Sequence, residues 1–111
     1  MLILSEGVYR RGLTLQRVAT LCSTNVARAF RLYPQKGVIA LDFDGDLTLV
    51  DLDREWQVDD EGLFYKNNWS PYPGLRLRGK VARTIVRGRT VFSDAAVLSQ
   101  SGYGRQVLPR A

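Results

Sequence analysis

The residues best suited to chemistry are three alternating carboxylates, Asp42, Asp44 and Asp46, which follow a short apolar run. A site made of carboxylates alone favours Mg²⁺ or Ca²⁺. The chain has no histidine and a single cysteine, Cys22. A zinc site would therefore need carboxylates alone, and a Ser-His or Cys-His nucleophile cannot be assembled within the chain.

The aspartate run resembles the first motif of haloacid-dehalogenase-type phosphatases, but only in part. That resemblance implies that Asp42 would be the nucleophile and Asp44 the acid, both beside Mg²⁺. Those proteins place Thr or Val where this chain has Asp46, and they need a downstream lysine and a further acidic pair. Only Lys66 and Lys80 follow, in regions predicted to be loop and strand. A calcium loop would require glycine at Leu47 and a closing Glu at Asp53. A polar turn between two strands is the preferred interpretation.

Cysteine use and hydropathy give expectations about the compartment. One cysteine excludes an internal disulfide and fits a reducing environment, so the cytoplasm is expected. No run approaches the ~18 apolar residues that a membrane span needs. Cys22 falls on the apolar face of a predicted helix and is expected to be a buried, inert thiol.

The net charge of +5 is unevenly distributed along the chain. Residues 1–41 carry six basic and one acidic residue, residues 42–61 one basic and nine acidic, and residues 62–111 nine basic and one acidic. Clustered arginines can bind phosphates, but the aromatic–basic interleaving typical of RNA binders is missing. Local neutralisation between segments that lie side by side is therefore favoured over nucleic-acid binding.

The first third of the chain has helical patterning. A stretch containing Leu4, Val8 and Tyr9 is closed by Gly12, and Thr14 is a good N-cap for a second helix. The cluster at 23–25 predicts another cap, followed by a third short helix that ends before Pro34. The apolar residues expected to need covering are Leu4, Val8, Leu15, Val18, Leu21 and Phe30.

From residue 37 the pattern changes to strands. Strands are predicted at 38–41 and 47–50, with a third at 56–58, and an ordered loop at 66–74. Residues 80–92 predict an antiparallel hairpin that turns at Arg87-Gly88 and lies beside the acidic segment. The tail at 100–105 is predicted to be irregular. The fold class is α+β, with short helices over 1–33 and a small β-sandwich-type antiparallel sheet over 34–111.

Three groups of motifs, in order and register, cover most of the chain. The first is SEGV (5–8), LTLQR (13–17) and STNVARAFRL (23–32); the second is KGVIA (36–40) and DGDLTLVD (44–51); the third is WSPYPG (69–74), GKV (79–81) and TIVRGR (84–89). Together they resemble the C-terminal end of the dihydroorotase, allantoinase and hydantoinase (dihydropyrimidinase) group of the amidohydrolase superfamily.

That resemblance implies a TIM barrel bearing zinc or another divalent metal, flanked by a small β-sandwich built from both chain ends. The metal ligands and catalytic residues would lie on barrel strands upstream, so no catalytic, cofactor-binding or metal-binding residue is expected in this chain. Residues 1–33 would match the last barrel helix and the short helices that follow it. Leu15, Val18 and Phe30 would face the barrel, and the sandwich core would contain Ile39, Leu49, Val81 and Ile85.

Two functions of different classes follow. The first is a non-catalytic C-terminal module or fragment of a metal-dependent cyclic-amide hydrolase, which has no activity alone. The second is an autonomous protein-binding or assembly module without enzymatic activity. The expected partners are a second copy of the chain or a barrel-bearing protein.

Overall fold

The computed structural model describes residues 1–59, 64, 66–67 and 69–109. Helix α1 is Ile3–Arg10 and has π-helical hydrogen bonding. Helix α2 runs without a break through Leu15–Ala19, Thr20–Thr24 and Asn25–Ala29, of which the middle stretch is π-helical. The strands are β1 (Leu47–Gln57), β2 (Arg76–Val86), β3 (Arg89–Ser93) and β4 (Ala96–Val97). The predicted α+β class, helices followed by an antiparallel sheet, is confirmed.

Helix α2 begins where the sequence predicts but does not stop at the predicted second cap. The Thr14 hydroxyl accepts a hydrogen bond from the backbone nitrogen of Arg17 at 3.1 Å. Thr24 and Asn25 both have helical dihedral angles, so the predicted break at 23–25 is wrong. The Thr24 hydroxyl donates instead to the carbonyl of Gly37 at 2.8 Å, and it therefore does not compete with the helix for its own backbone groups.

The sheet has the order β1-β2-β3-β4, with every neighbouring pair antiparallel. The predicted hairpin is confirmed: β2 and β3 are joined by Arg87 and Gly88, which have φ of 46° and 76°. Positive φ at both positions is the type I′ geometry that matches strand twist. Acidic β1 pairs with basic β2, and Asp53 forms an ion pair with Arg78, as the charge pattern predicts.

One predicted strand is wrong, and another is part of a longer strand. Residues 38–41 lie outside the sheet, where Ile39 and Leu41 are 85% and 90% exposed. An apolar run favours a strand only if another strand is available to pair with it, and none of the described strands lies alongside. Trp56 and Gln57 form the end of β1 rather than a third strand, because an irregularity between Asp51 and Glu55 lets β1 continue past a shift in register.

Helix α1 is fixed to the middle of β2. Gly79 has φ of +92°, and a Cβ there would lie 3.2 Å from the Cβ of Leu4, so the glycine permits a close approach. The Ser5 hydroxyl accepts from the backbone nitrogen of Arg78 at 3.2 Å. The Tyr9 hydroxyl donates to the carbonyl of Leu52 at 2.6 Å. Leu4 is therefore buried within the chain and not left uncovered as expected.

Many large apolar side chains among the described residues are exposed. The accessible surface is 8425 Å², whereas a compact monomer of 12.5 kDa would expose about 6,200 Å². In the described parts of the chain the buried apolar residues are Leu4, Ala27, Val58 and Leu77. The described strands form one sheet, so the second layer of a β-sandwich and the boundary near residue 34 remain predictions.

Candidate interaction surface

Of the three aspartates singled out by the sequence, Asp44 and Asp46 link their segment to other parts of the chain. Lys36 forms ion pairs with both Asp44, at 2.8 Å, and Asp46. The other oxygen of Asp46 accepts a hydrogen bond from the backbone nitrogen of Arg87 at 2.8 Å. Asp42 is exposed and has φ of 66°, as expected for a turn residue. The segment is therefore a polar turn before β1, as predicted, but it does not join two strands, because residues 38–41 lie outside the sheet.

The electrostatics of this cluster favour the charged forms of Lys36 and Asp44. The hydrogen bond from Lys36 has the largest effect and holds the pKa of Asp44 below its ordinary value of 3.8. Burial acts in the opposite direction, but it is weaker than that hydrogen bond. The hydrogen bond from Gln35 and the nearby positive charges lower the pKa further. Burial acts to lower the pKa of Lys36, but the hydrogen bonds and charges of Asp44 and Asp46 together outweigh it and raise that pKa above 10.5. The lowered pKa keeps Asp44 deprotonated near neutral pH.

The other side chains that could take part in chemistry do not form a site in the described parts of the chain. Cys22 is exposed, so the expectation of a buried thiol is wrong; the physical reason is that the apolar face of α2 is not covered by another described element. The ammonium group of Lys80 lies 5.1 Å from the ring centre of Trp56. Among residues 1–59, 64, 66–67 and 69–109, no three His, Cys, Asp or Glu side chains come together as a metal site.

Helix α2 is held most closely to the rest of the chain near Ala27. Ala27 is its only buried residue, and a Cβ added to Gly37 would lie 2.5 Å from the Ala27 Cβ. The remaining apolar side chains of α2 and the residue after it are half-buried or exposed, with Phe30 at 65%. An isolated helix of about 15 residues is marginal in water, so α2 needs a covering surface.

The apolar side of α2 forms one wall of an open groove of about 820 Å³. Leu15, Val18 and Cys22 line it at helical spacing. The facing wall comes from the start of α1, the segment 36–39 and β1. The sequence predicts the apolar stripe of α2 but not the groove, because the sequence pattern places residues 38–41 in a strand. This groove and the exposed remainder of α2 constitute the candidate interaction surface.

The comparisons with known proteins identify the family. The model of the amidohydrolase family matches residues 1–91, and the chain belongs to that family. It is 46% identical over 108 residues to an allantoinase from Rubrobacter xylanophilus, covering 97% of this chain and 23% of the relative. It is 36% identical over 104 residues to a D-phenylhydantoinase from Escherichia coli, covering 94% of this chain and 23% of the relative.

Solved structures agree with this placement. The L-hydantoinase (dihydropyrimidinase) from Arthrobacter aurescens superposes with a TM-score of 0.88 at 33% identity, covering 93% of this chain and 23% of that one. The D-hydantoinase (dihydropyrimidinase) from Thermus sp. superposes with a TM-score of 0.88 at 28% identity, covering 94% and 23%. The chain thus spans less than a quarter of the length of the relatives it matches.

The resemblance implies a divalent metal in the parent enzyme, but the described residues do not fit one. Asp44 and Asp46 are already paired with Lys36, and no third ligand lies with them in the described ranges.

No described helix is long and apolar enough to cross a membrane.

Proposed function

We propose that this chain is the non-catalytic C-terminal segment of a cytoplasmic, metal-dependent cyclic-amide hydrolase. The parent reaction is hydrolysis of a ring C–N bond in a substrate of the allantoin, hydantoin or dihydropyrimidine class. The metal and the catalytic residues belong to the barrel-bearing remainder of the enzyme. The role of this segment is to pack on that barrel and to supply one layer of the adjoining β-sandwich.

The observation that carries the proposal is the lack of cover on α2. A helix with one buried residue and a continuous apolar stripe is stabilised only when another surface removes that stripe from water. The large accessible surface of the chain points the same way. Because relatives of more than four times this length share the same fold segment, their remaining chain is the natural cover.

The contacts of the described carboxylates favour a structural role for this segment over a catalytic one. The carboxylates that could have acted, Asp44 and Asp46, are paired with Lys36 and fix loop geometry. Hydrolysis of a cyclic amide by this class of enzyme uses a metal to activate water and polarise the carbonyl. Nothing within the described ranges offers ligands for that metal.

The proposal is tested by complex formation with a truncated relative. The allantoinase from Rubrobacter xylanophilus is expressed without the segment that matches this chain, and the chain is added in trans. A 1:1 complex in sedimentation velocity is expected. The intact allantoinase is the matched control and should not bind, because its own segment already occupies the site.

The same preparation of the free chain is tested for activity and metal. The free chain should bind no stoichiometric zinc and should hydrolyse neither allantoin, hydantoin nor dihydroorotate. One tightly bound zinc per chain, or turnover by the free chain, would contradict the proposal. If the chain does not bind the truncated allantoinase but forms a stable dimer, that result would favour the autonomous assembly module instead.

A further inference from the structure

A second cleft lies apart from the α2 groove, between α1, the end of β1 and the start of β2. Its volume of about 530 Å³ is within the usual range for small-molecule sites, ~300–1,000 Å³. Among the described residues, none lines both this cleft and the groove beside α2. The cleft is therefore a separate candidate site, and its lining determines what it can bind.

The lining of the cleft is basic. Its charged residues are three arginines and one glutamate: Arg10, Arg76, Arg78 and Glu55. Arg10 pairs with Glu6 at 3.3 Å and Arg78 pairs with Asp53, but neither of these two carboxylates lines the cleft. Arg76 is exposed and forms no ion pair within the described parts of the chain. Its guanidinium group is therefore available to an incoming anion.

Two aromatic walls of the cleft are held in place by the fold. The guanidinium carbon of Arg78 lies 4.3 Å from the ring centre of Tyr9, and the backbone nitrogen of Arg78 donates to the Ser5 hydroxyl at 3.2 Å. The indole nitrogen of Trp56 donates to the carbonyl of Gly79 at 3.0 Å. These side chains are positioned before a ligand arrives, which lowers the entropic cost of binding.

The lining fits a ligand that combines a carboxylate with an amide-like group. The planar guanidinium of Arg76 can donate two parallel hydrogen bonds to a carboxylate, a pairing that a lysine cannot make. The amide of Gln57, which also lines the cleft, can both donate and accept hydrogen bonds. The rings of Tyr9 and Trp56 offer apolar surface to a carbon skeleton. An inorganic anion would leave the amide and the rings unused.

The proposed parent reaction releases a product with this combination of groups. Water adds its hydroxyl to the ring carbonyl carbon and a hydrogen to the ring nitrogen, the C–N bond breaks, and the new carboxylic acid loses its proton near neutral pH. In hydantoins and dihydropyrimidines the released nitrogen belongs to a ureido group, so the product is an N-carbamoyl carboxylate. We propose, on the basis of the proposed function, that the cleft of Arg76, Gln57 and Trp56 binds this class of anion.

NMR titration of the full 111-residue chain with N-carbamoylglycine, the product of hydantoin hydrolysis, tests the proposal. The chain has two tryptophans: Trp56 lines the cleft, whereas Trp69 is exposed outside it and serves as the internal reference. The indole N–H signal of Trp56 should shift saturably with a Kd of about 1 mM or tighter, and that of Trp69 should not. No saturable shift at Trp56 would overturn the inference.

Two further probes separate carboxylate recognition from general attraction of anions. N-carbamoylglycinamide has the same skeleton without the negative charge and should not bind. Inorganic phosphate should bind at least about threefold more weakly than N-carbamoylglycine, because it cannot use the Gln57 amide or the rings. Equal binding of the neutral amide, or binding of phosphate as tight as that of N-carbamoylglycine, would overturn the assignment of the ligand class.

Substitutions of Arg76 test the residue that carries the recognition. Arg76→Ala should raise the Kd about fivefold or more, and Arg76→Lys, which keeps the charge but loses the planar fork, about threefold or more. Arg105→Ala removes the same charge from an exposed position outside the cleft and should change the Kd less than about twofold. Amide spectra establish that the variants keep the sheet. Unchanged binding by Arg76→Ala would contradict the inference.

These measurements use the chain alone, so their outcome is independent of complex formation with the truncated allantoinase. A complex with that enzyme but no saturable shift at Trp56 would overturn the cleft assignment and leave the proposed function standing. Binding of N-carbamoylglycine that depends on Arg76, without any complex, would support the cleft assignment and overturn the proposed function.

Discussion

The carboxylate of Asp46 lies 2.8 Å from the backbone nitrogen of Arg87 and accepts its hydrogen bond across 41 residues of sequence. The next backbone nitrogen, that of Gly88, donates to the carbonyl of Gly45 at 2.9 Å. Both amide groups at the tip of the β2–β3 hairpin are therefore bound by the acidic turn. The aspartate motif, which in the sequence most resembles a catalytic site, anchors the β2–β3 hairpin through these two hydrogen bonds.

Substitution of Asp46 should separate the contribution of its hydrogen bond with Arg87 from that of its ion pair with Lys36. Asp46→Ala removes the acceptor for Arg87 and the ion pair with Lys36, and should lower the free energy of unfolding by about 1–2 kcal/mol. Asp46→Asn keeps an acceptor oxygen and loses the ion pair, so a loss under about 1 kcal/mol is expected. Urea unfolding is the measurement. Asp42→Asn is the control, and a loss there equal to that of Asp46→Ala would contradict the assignment.

Gly37 should control the attachment of α2. Gly37→Ala combines a left-handed φ of +84° with a Cβ 2.5 Å from that of Ala27, a cost of about 3 kcal/mol in total. Hydrogen exchange should show α2 losing protection while β1 and β2 keep theirs. Gly12→Ala is the matched control, since Gly12 has φ of +69° and open space around it. Equal loss of protection in both variants would show that backbone strain alone is responsible.

The cluster of Lys36 with Asp44 and Asp46 predicts a pH dependence of stability. Because the pKa of Asp44 is lowered on folding, its contribution is complete above the ordinary value of 3.8 and is lost as the pH falls through the lowered pKa. Because the pKa of Lys36 is raised, its contribution is complete below 10.5 and is lost as the pH rises through the raised value. Urea unfolding of Lys36→Met should vary less with pH in both windows. An unchanged pH profile in that variant would contradict the linkage.

The free chain should self-associate or keep α2 weakly protected. Leu15, Leu21 and Phe30 are all exposed, and burial of each is worth roughly 1.5–3 kcal/mol. Sedimentation at several concentrations should show association, which Phe30→Asp should weaken. Val97→Asp, an exposed site on β4, is the control. A monomer at every concentration with protected amides throughout residues 1–33 would show that the chain is a self-sufficient domain.

Local patterns were enough to predict some of these elements. The cap at Thr14 and the turn at Arg87-Gly88 depend on nearby backbone groups, so residue types at fixed spacing predict both. The resemblance of three motif groups in register predicted the family, which no single motif could have done. The charge blocks predicted that acidic β1 would lie beside basic β2.

The errors arise where distant parts of the chain decide the structure. Ile39 has the neighbours of a strand residue, but no described strand pairs with it. Thr24 and Asn25 have the composition of a cap, yet the Thr24 hydroxyl is used by Gly37 and the helix continues. The burial of Leu4 depends on the conformation of Gly79, 75 residues away. The groove depends on all of these placements together, so local patterning could not predict it.

The central claim is that this chain completes a hydrolase whose chemistry lies elsewhere, and restoration of activity tests it most directly. Allantoin hydrolysis is measured for the truncated allantoinase from Rubrobacter xylanophilus, alone and with increasing amounts of this chain, at fixed zinc. The truncated enzyme should be nearly inactive alone, and activity should rise with added chain to a plateau at 1:1. Val18→Asp should shift that titration to higher concentration, whereas Ser101→Asp, which adds the same charge at an exposed turn outside α2 and the groove, should not. No gain in hydrolysis at saturating chain, or hydrolysis by the chain without the truncated enzyme, would contradict the account.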